Sequence, residues 1–242
     1  MKIVAVIQAR MGSTRLPGKI LKKVMGKTLL EYQLERVKRS KLIDEIVVAT
    51  TSKSSDDVIV NLCEELGIHT YRGSEDDVLS RYYEAATVYK ADVVVRLTSD
   101  CPIIDPEVID QVVRVYLNHQ GAVDYVSNTL KRTFPRGMDT EVFSYQALEQ
   151  AYQQANLYRD REHVTAYFYT NPEKYQLKNV KSSNNSSRHR WTVDTEEDFE
   201  LITKIISNLY PLKSSFTLRD ALDLLEEHKE WSKINEHIEQ KK

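Results

Sequence analysis

The first strand and the loop after it, "KIVAVIQARMGSTRLPGKIL" (residues 2–21), decide what kind of sheet this chain can build. The opening "KIVAVI" is apolar at nearly every position, which is typical of a strand buried on both faces. The loop that follows holds Arg10, Arg15 and Lys19 among glycine, serine and proline. Backbone amides and cations in such a loop can hold the oxygens of a phosphate. The stretch therefore predicts a buried strand that ends in an anion-binding loop.

The spacing of this loop differs from the two common glycine-rich phosphate loops. Five residues separate Gly12 from Gly18, one more than a Walker A loop contains, and Ile20 stands where that loop has serine or threonine. The glycine triplet of dinucleotide-binding folds is also missing from the sequence. A solvated turn whose charges bind nothing is the alternative interpretation.

Apolar, β-branched segments alternate with helical patterns through the first half of the chain. Strands are predicted at residues 2–7, 45–51 and 92–98, and helices at 28–40, 54–67, 77–90 and 106–119. This alternation predicts an α/β fold with a mostly parallel sheet and helices on both faces. Right-handed crossovers bring the loops after such strands to one edge of the sheet, where open α/β sheets bind ligands.

The pattern is less regular after about residue 122. It predicts strand, turn and strand over residues 123–144, a helix over 145–155, and a polar loop that leads into a short strand, Trp191 to Val193. Helices follow to the end of the sequence. We expect one domain over residues 1–242, with 124–185 as a lobe for acceptor binding or for dimerisation.

Composition and charge limit the classes of function. Apolar residues make up 41% and charged residues 29% of the 242 positions, as in ordinary globular proteins. Lys and Arg number 34 against 36 Asp and Glu, so the net charge of -2 supports neither nucleic-acid nor membrane binding. The N-terminal apolar run is too short for a signal peptide or a membrane span. With only Cys63 and Cys101, the sequence favours a reducing compartment, and we expect a cytoplasmic protein.

Two carboxylates follow predicted strands and are candidates for a metal site. Asp100 lies just beyond the strand at 92–98, and Asp194 directly follows the predicted strand that ends at Val193. Carboxylate oxygens at such an edge suit a hard divalent cation. If the two strands are neighbours, both carboxylates can share one ion. Asp105 is another candidate, but its position before Pro106 makes it first a helix cap. For Asp100, the alternative to metal binding is a purely structural role.

Three further clusters are open to more than one interpretation. Arg72, Gly73 and Ser74 precede the helix with Arg81, which suits a nucleotide pocket or an ordinary capped helix with an Asp77–Arg81 pair. The segments "FPRGMDTEVF" and "DREHVT" belong either to the surface or to an acceptor site; their polar residues include Arg136, Asp139, Glu141, Glu162 and His163.

The stretch "IQARMGSTRLPGKIL" resembles the nucleotide-binding signature of cytidylyltransferases that activate acidic sugars. The later segments "RLTSDCPIIDP", "PRGMDTEVFS", "DREHVT" and "RWTVDTEEDFEL" are similar to the branch named for spore-coat polysaccharide biosynthesis. The matches run in order from residue 3 to about 205. This resemblance implies a Rossmann-like nucleotidyltransferase fold and a Mg²⁺-dependent reaction. In that reaction a sugar hydroxyl attacks the α-phosphate of CTP and pyrophosphate leaves.

The resemblance also implies a role for each candidate residue. Those that would bind CTP are Ala9, Arg10, Met11, Gly12, Ser13, Arg15, Lys19, Arg72, Gly73, Ser74 and Arg81. Asp100 and Asp194 would hold Mg²⁺ and, with Arg10 and Lys19, would form the catalytic set. The residues that would face a sugar or sugar-acid acceptor are Arg136, Asp139, Glu141, Glu162 and His163.

The sequence departs from the best-known members of this family beside the metal aspartate. Ser99 and Cys101 flank Asp100, where the enzymes that activate the eight-carbon lipopolysaccharide sugar acid have glycine and an acid. The acceptor therefore need not be the same sugar. Related enzymes are often dimers joined by an arm in the middle of the chain, so we expect a homodimer with an interface at residues 125–145.

Two other functions compete with cytidylyl transfer. A glycosyltransferase with a similar nucleotide-binding fold usually carries a D-x-D pair at a strand end, whereas "SDCP" offers one aspartate. A catalytically silent nucleotide-binding scaffold would not need Arg10, Lys19, Asp100 and Asp194 together. Cytidylyl transfer is therefore our leading hypothesis.

Overall fold

The strands form two sheets in the computed structural model, which describes residues 1–240. The strands of this part of the chain are β1 Ile3–Gln8, β2 Lys23–Val24, β3 Lys27–Thr28, β4 Glu45–Thr51, β5 His69–Gly73, β6 Val93–Thr98, β7 Tyr125–Ser127, β8 Glu141–Ser144 and β9 Leu177–Asn179. Seven of them form one sheet in the order β5-β4-β1-β6-β8-β7-β9, and β2 and β3 form a small separate ribbon. The strands from β5 to β6 run parallel, and β8 runs antiparallel to both of its neighbours. The predicted α/β fold with a mostly parallel sheet is confirmed.

Helices cover both faces of this sheet. The α-helices of the described residues are α1 Leu29–Val37, α2 Asp57–Glu65, α3 Val78–Val88, α4 Pro106–Asn118, α5 Tyr145–Gln154, α6 Tyr158–His163, α7 Ala166–Thr170, α8 Glu196–Leu209 and α9 Leu218–Glu227. Short 3-10 helices lie at Lys19–Leu21, Ser54–Asp56 and Lys229–Lys233. No helix within residues 1–240 is long and apolar enough to cross a membrane.

The central strand β1 shows why the sheet needs two layers of helices. Val4 and Val6 pack into one apolar core with α3, α5 and α7. Ile3 and Ile7 pack into the opposite core with α1, α4 and α8. Since side chains alternate across a strand, a segment that is apolar throughout has to be covered on both faces.

The predicted starts of the helices at residues 28 and 106 are confirmed by their capping contacts. The Glu31 amide donates to Thr28 Oγ1 at 3.1 Å, and the Thr28 amide donates to Glu31 Oε2 at 2.6 Å. This reciprocal pair satisfies two amides that the first turn leaves free. Asp105 caps α4 by accepting from the Glu107 amide at 2.8 Å, and it also accepts from the Leu218 amide at 2.5 Å. Asp105 is thus a structural tie between α4 and α9.

The predicted strand at Trp191–Val193 is wrong. The Trp191 amide donates to the Arg136 carbonyl at 2.7 Å, whereas the Val193 amide donates to the Asp100 carbonyl at 2.8 Å. The segment therefore bonds to two different neighbours in succession and forms no ladder with either, apart from one isolated bridge between Arg136 and Arg190. The contact between Val193 and Asp100 nevertheless brings the two candidate metal carboxylates to the same place.

The segment 124–185 contributes strands to the main sheet. β7, β8 and β9 lie beside β6 at the far edge, while α5, α6 and α7 pack on one face. Its suggested use as an acceptor or dimerisation lobe stays a prediction.

Candidate active site

A cleft of about 490 Å³ opens at the carboxyl ends of β1 and β6. Its lining comes from Gln8, Ala9, Arg10, Gly12, Ser13, Thr14, Arg15, Lys19, Glu75, Asp76, Val78, Arg81, Arg96, Thr98, Ser99, Asp100, Tyr158, Glu162, His163 and Asp194. The sheet edge is therefore the one at which parallel α/β proteins bind ligands. Eleven of the residues that the sequence nominates lie in this lining.

The cationic loop after β1 is anchored at its start by a buried carboxylate. Asp56 accepts a hydrogen bond from the Met11 amide at 2.9 Å and from the Thr51 hydroxyl at 2.6 Å. The Met11 carbonyl in turn accepts from the amides of Ser13 and Gly18. Gly18 has φ +65°, which glycine adopts without steric cost, and it turns the chain into the 3-10 helix that begins at Lys19. Met11 thus supports the loop with its backbone and does not line the cleft.

Lys19 joins the two carboxylates that follow β6 and precede α8. Its Nζ lies 2.7 Å from Asp194 Oδ1 and 3.2 Å from Asp100 Oδ2. The other oxygen of Asp100 accepts from the Thr98 hydroxyl at 2.6 Å. The expected closeness of Asp100, Asp194 and Lys19 is present in the fold.

The ionisation of this group follows from burial and charge together. Burial opposes the charged form of Asp100, but the Lys19 charge and hydrogen bonds from Thr98 and Lys19 outweigh it and lower the Asp100 pKa to about 2. Burial likewise opposes the charge on Lys19, and the two carboxylates outweigh it and raise the Lys19 pKa. Both groups are therefore charged at neutral pH.

Asp194 is held in place from its other side by two guanidinium groups. Its Oδ2 lies 2.8 Å from Arg15 and 2.7 Å from Arg190. Arg190 also pairs with the buried Asp198 at 2.9 Å, and the Asp194 amide donates to Asp198 at 2.9 Å. Asp198 accepts from the Thr195 amide as well and so links this network to the start of α8. Sequence reasoning missed Arg190, because the segment from Arg190 to Asp194 is irregular and a spacing of four residues indicates a pair only on a helix.

The donor set suits a divalent cation that arrives with phosphate. Residues 1–240 contain no cluster of three or more acidic, histidine or cysteine side chains that could form a complete metal cage. Mg²⁺ is commonly bound by one or two carboxylates and completes its shell with phosphate oxygens and water. Asp100 and Asp194, joined through the Lys19 ammonium, offer two such carboxylates. The residues present therefore fit the expected ion.

Arg10 and Arg81, two of the residues predicted to bind a nucleotide, line the cleft. Arg10 lies 3.5 Å from Glu75, and the buried Arg81 donates to the Ser74 carbonyl at 2.5 Å. A Cβ at Gly73 would come within 3.1 Å of the Arg81 side chain, so the glycine allows the close packing of that arginine. Gly73 and Ser74 thus position Arg81 and are not themselves in the lining. The suggested Asp77–Arg81 pair is absent, since Asp77 pairs with Arg161.

Arg72 lies away from the cleft. Its guanidinium pairs with Asp57 at 2.6 Å and donates to the Lys53 and Thr51 carbonyls. All of these partners lie on the segment from β4 to α2. The structure therefore gives Arg72 a contact that holds β5 to that segment and does not bring it to the other residues predicted to bind a nucleotide.

Glu162 and His163 line the cleft at the end of α6, the helix that packs against α3. Glu141 lies deeper and is buried in an ion pair with Arg96 on the neighbouring strand. It also accepts from the Thr165 hydroxyl at 2.7 Å and from the Tyr125 hydroxyl. Glu141 thus lies behind Arg96, whose guanidinium faces the cleft and donates to Gln8 at 3.1 Å.

Arg136 and Asp139 lie beside the cleft and outside its lining. Asp139 forms a two-pronged pair with Arg132, at 2.5 and 2.8 Å. Arg136 is fixed by its backbone to the segment before Asp194, since its amide donates to the His189 carbonyl at 3.0 Å. Burial and the neighbouring Arg132 lower the pKa of Arg136.

Several lining residues escaped the sequence analysis. Arg96 interrupts an apolar strand, and a cation in a strand buried on both faces is the kind of signal that could have been followed. Glu75, Asp76 and Tyr158 lie in loops or at helix starts, where no sequence pattern marks them. Only the fold brings them into the cleft lining.

Cys101 is buried next to Asp100, and both cysteines are unpaired. Burial, with the nearby Asp100 carboxylate, raises the Cys101 pKa well above its ordinary value. A neutral thiol is a poor nucleophile, so this environment does not support a role as an attacking group.

The chain has the nucleotidyltransferase fold, which it shares with a solved cytidylyltransferase. Within that class the chain belongs to the cytidylyltransferase family, whose model matches residues 4–234. The family uses CTP in nucleotidyl transfer.

Three relatives illustrate the match. The chain is 40% identical over 243 residues to an uncharacterised protein of Methanocaldococcus jannaschii, covering 100% of this chain and 97% of that protein. It is 34% identical over 215 residues to the spore coat polysaccharide biosynthesis protein SpsF of Bacillus subtilis, covering 83% and 84%. The solved structure of a cytidylyltransferase from Leptospira borgpetersenii superposes with a TM-score of 0.92 at 37% identity, covering 100% of both chains. The resemblance to the spore-coat branch is thus confirmed.

Proposed function

We propose that the protein transfers CMP from CTP to a hydroxyl of a sugar or sugar acid, with Mg²⁺ and with release of pyrophosphate, for surface-polysaccharide assembly. One observation carries this proposal: Lys19 of the cationic loop touches both Asp100 and Asp194 in an open cleft. Family membership supports the use of CTP. The name of the Bacillus subtilis relative supports a role in polysaccharide synthesis.

The residues of the cleft divide the work of such a transfer. Arg10, Arg15 and Lys19, with the loop amides, hold the triphosphate and neutralise its oxygens. In this proposal Glu162 and His163, which line the cleft, face the acceptor. Holding the two reactants in line supplies much of the rate enhancement, because phosphoryl-type transfer needs position and charge neutralisation more than covalent help.

The bond changes balance without a further reactant. The acceptor oxygen forms a bond to the α-phosphorus, and the bond from that phosphorus to the bridging oxygen breaks. The electron pair leaves with pyrophosphate, and the hydroxyl proton passes to water. Mg²⁺ bound through Asp100 and Asp194 would supply charge neutralisation at the phosphate oxygens.

The test measures pyrophosphate release. The protein is incubated with Mg²⁺, each of the four nucleoside triphosphates, and a panel of sugars, sugar acids and sugar phosphates. We expect release with CTP and one class of acceptor. In a parallel incubation with nucleotide-sugars, release of a nucleoside mono- or diphosphate would instead indicate a glycosyltransferase. Binding of CTP without turnover would indicate a silent scaffold.

Asp100→Asn tests, in the same assay, whether the Asp100 carboxylate is needed for turnover. It removes one negative charge and keeps the shape, so we expect turnover to fall by about 10²-fold or more. Asp57→Asn is the matched control, because Asp57 is exposed and pairs with Arg72 away from the cleft. Normal turnover of Asp100→Asn would contradict the assignment of Asp100.

A further inference from the structure

The two carboxylates proposed to hold a metal ion already contact a cation of the chain itself. The Lys19 ammonium lies within 3.2 Å of both Asp100 and Asp194, and its side chain is only 13% exposed. Attraction between charges at this distance is strong when water is largely excluded. A divalent cation therefore competes with Lys19 for the same oxygens.

The wider cluster is also balanced in charge. Arg15 and Arg190 contact the second oxygen of Asp194, and Arg190 pairs in addition with Asp198. Asp100, Asp194 and Asp198 thus face three cations, and the formal charges cancel. A bare divalent ion would add two positive charges to a neutral group, which is electrostatically unfavourable.

We propose that Lys19 is an internal counter-cation that keeps a divalent metal ion off Asp100 and Asp194 until a triphosphate draws the lysine away. This inference rests on the proposed function. A triphosphate offers Lys19 and Arg15 new anionic partners, and their departure leaves carboxylate oxygens free for the metal. Nucleotide and metal then bind with positive coupling, and by linkage each tightens the other by the same factor.

The exchange of partners requires little rearrangement. Lys19 carries its charge on a flexible four-carbon stem, so the ammonium can move by side-chain rotation. The backbone of the loop stays fixed by the hydrogen bond from the Met11 amide to Asp56. Lys19 can therefore change partners while the loop keeps its shape.

Mn²⁺ binding without nucleotide tests the inference directly. The free ion is counted by electron paramagnetic resonance in titrations of the wild type, Lys19→Gln and Lys19→Met. We expect both variants to bind Mn²⁺ at least about ten-fold more tightly than the wild type, a coupling within the usual range for interacting sites. Lys22→Gln is the matched control, since Lys22 belongs to the same loop region but pairs with the exposed Glu196.

A second measurement uses the wild type alone, so the test does not depend on the variants folding. Adding CTP, with correction for Mn²⁺ held by free CTP, is expected to tighten Mn²⁺ binding about ten-fold or more. Equal Mn²⁺ affinity with and without CTP, or equal affinity in the wild type and both Lys19 variants, overturns the competition and leaves the proposed function standing. Absence of Mn²⁺ binding in every protein, even with CTP, overturns the metal site and the competition with it.

Discussion

Val164 has an unusual backbone conformation directly after the cleft residue His163. Its φ is +58° with ψ −69°, although it is β-branched and its side chain is buried. The Thr165 amide donates to the His163 carbonyl at 2.5 Å and closes a tight three-residue turn. The Thr165 hydroxyl is held by Glu141 at 2.7 Å. Strained residues of this kind persist where their surroundings fix them, and they are common at functional sites.

The strain at Val164 is measurable by comparing two variants that both remove the buried side chain. We expect Val164→Gly to be more stable than Val164→Ala by about 1 kcal/mol in urea unfolding, because glycine tolerates positive φ and alanine does not. The usual order is the reverse in a helix, where glycine is less stable by about 1 kcal/mol. The same pair at Val112, which is buried in the middle of α4, serves as the control. Equal stability of Val164→Ala and Val164→Gly would contradict backbone strain at Val164.

Single residues also show how far sequence alone leads to the candidate site. Lys19 and Asp100 are foreseeable because they follow the strands predicted at 2–7 and 92–98, and Asp194 is foreseeable from the motif "RWTVDTEEDFEL", although the strand predicted before it is absent. The pairing of Arg96 with Glu141, 45 positions away, is not foreseeable, because it depends on the register of β6 against β8. The sequence indicates that a buried charge needs a partner, but the identity of a distant partner is set by the register of the strands.

At the scale of elements, the segments with strong local signals are the predictable ones. β4 matches its predicted range of 45–51, and α4 begins at the expected proline after its Asp105 cap. The strand prediction for residues 191–193 is wrong, because Trp191 and Val193 are buried but form no ladder of strand hydrogen bonds with a neighbour. Burial produces the same apolar pattern in a strand and in an irregular segment packed between two neighbours, so periodicity cannot separate them.

The link between β4 and the cationic loop leads to a prediction about Asp56. This carboxylate joins Thr50 and Thr51 at the end of β4 to the Met11 amide. Removing the carboxylate leaves several buried donors without an acceptor. We therefore expect Asp56→Ala to lose about 2–4 kcal/mol of unfolding free energy and to weaken CTP binding. Asp57→Ala, exposed and adjacent, should change stability by less than about 1 kcal/mol. Equal losses in both variants would contradict the anchoring role.

The same carboxylate predicts a pH dependence with a definite sign. Burial opposes its charge, but hydrogen bonds from Thr51, Met11 and Thr50 outweigh this and lower the Asp56 pKa below its ordinary value of 3.8. A lowered folded pKa means that the stabilisation is fully present above about pH 4 and is lost as the pH falls through the folded value. In urea unfolding from pH 5 to pH 2, Asp56→Asn should therefore lose less stability than the wild type.

At the scale of the whole molecule, the candidate site joins distant parts of a nearly neutral chain. Lys19 and Asp194 are 175 positions apart, and their contact draws the first and last thirds of the described chain together. With a net charge of -2, the protein has no overall field to attract a nucleotide. Attraction for a triphosphate therefore depends on the few cations that line the cleft.

Thermal unfolding with CTP and Mg²⁺ separates this local charge from the total charge. A ligand at about 100 times its Kd adds about 2.7 kcal/mol to stability, which raises Tm by roughly 5–10 °C in a protein of this size. Arg15→Gln removes a cation from the cleft, whereas Arg219→Gln removes one from the exposed surface of α9. Both change the net charge by the same amount, yet at one fixed ligand concentration we expect only the first to lose most of the rise in Tm. Equal losses would place the attraction in the total charge, and no rise in the wild type at saturating CTP would contradict nucleotide binding in this cleft.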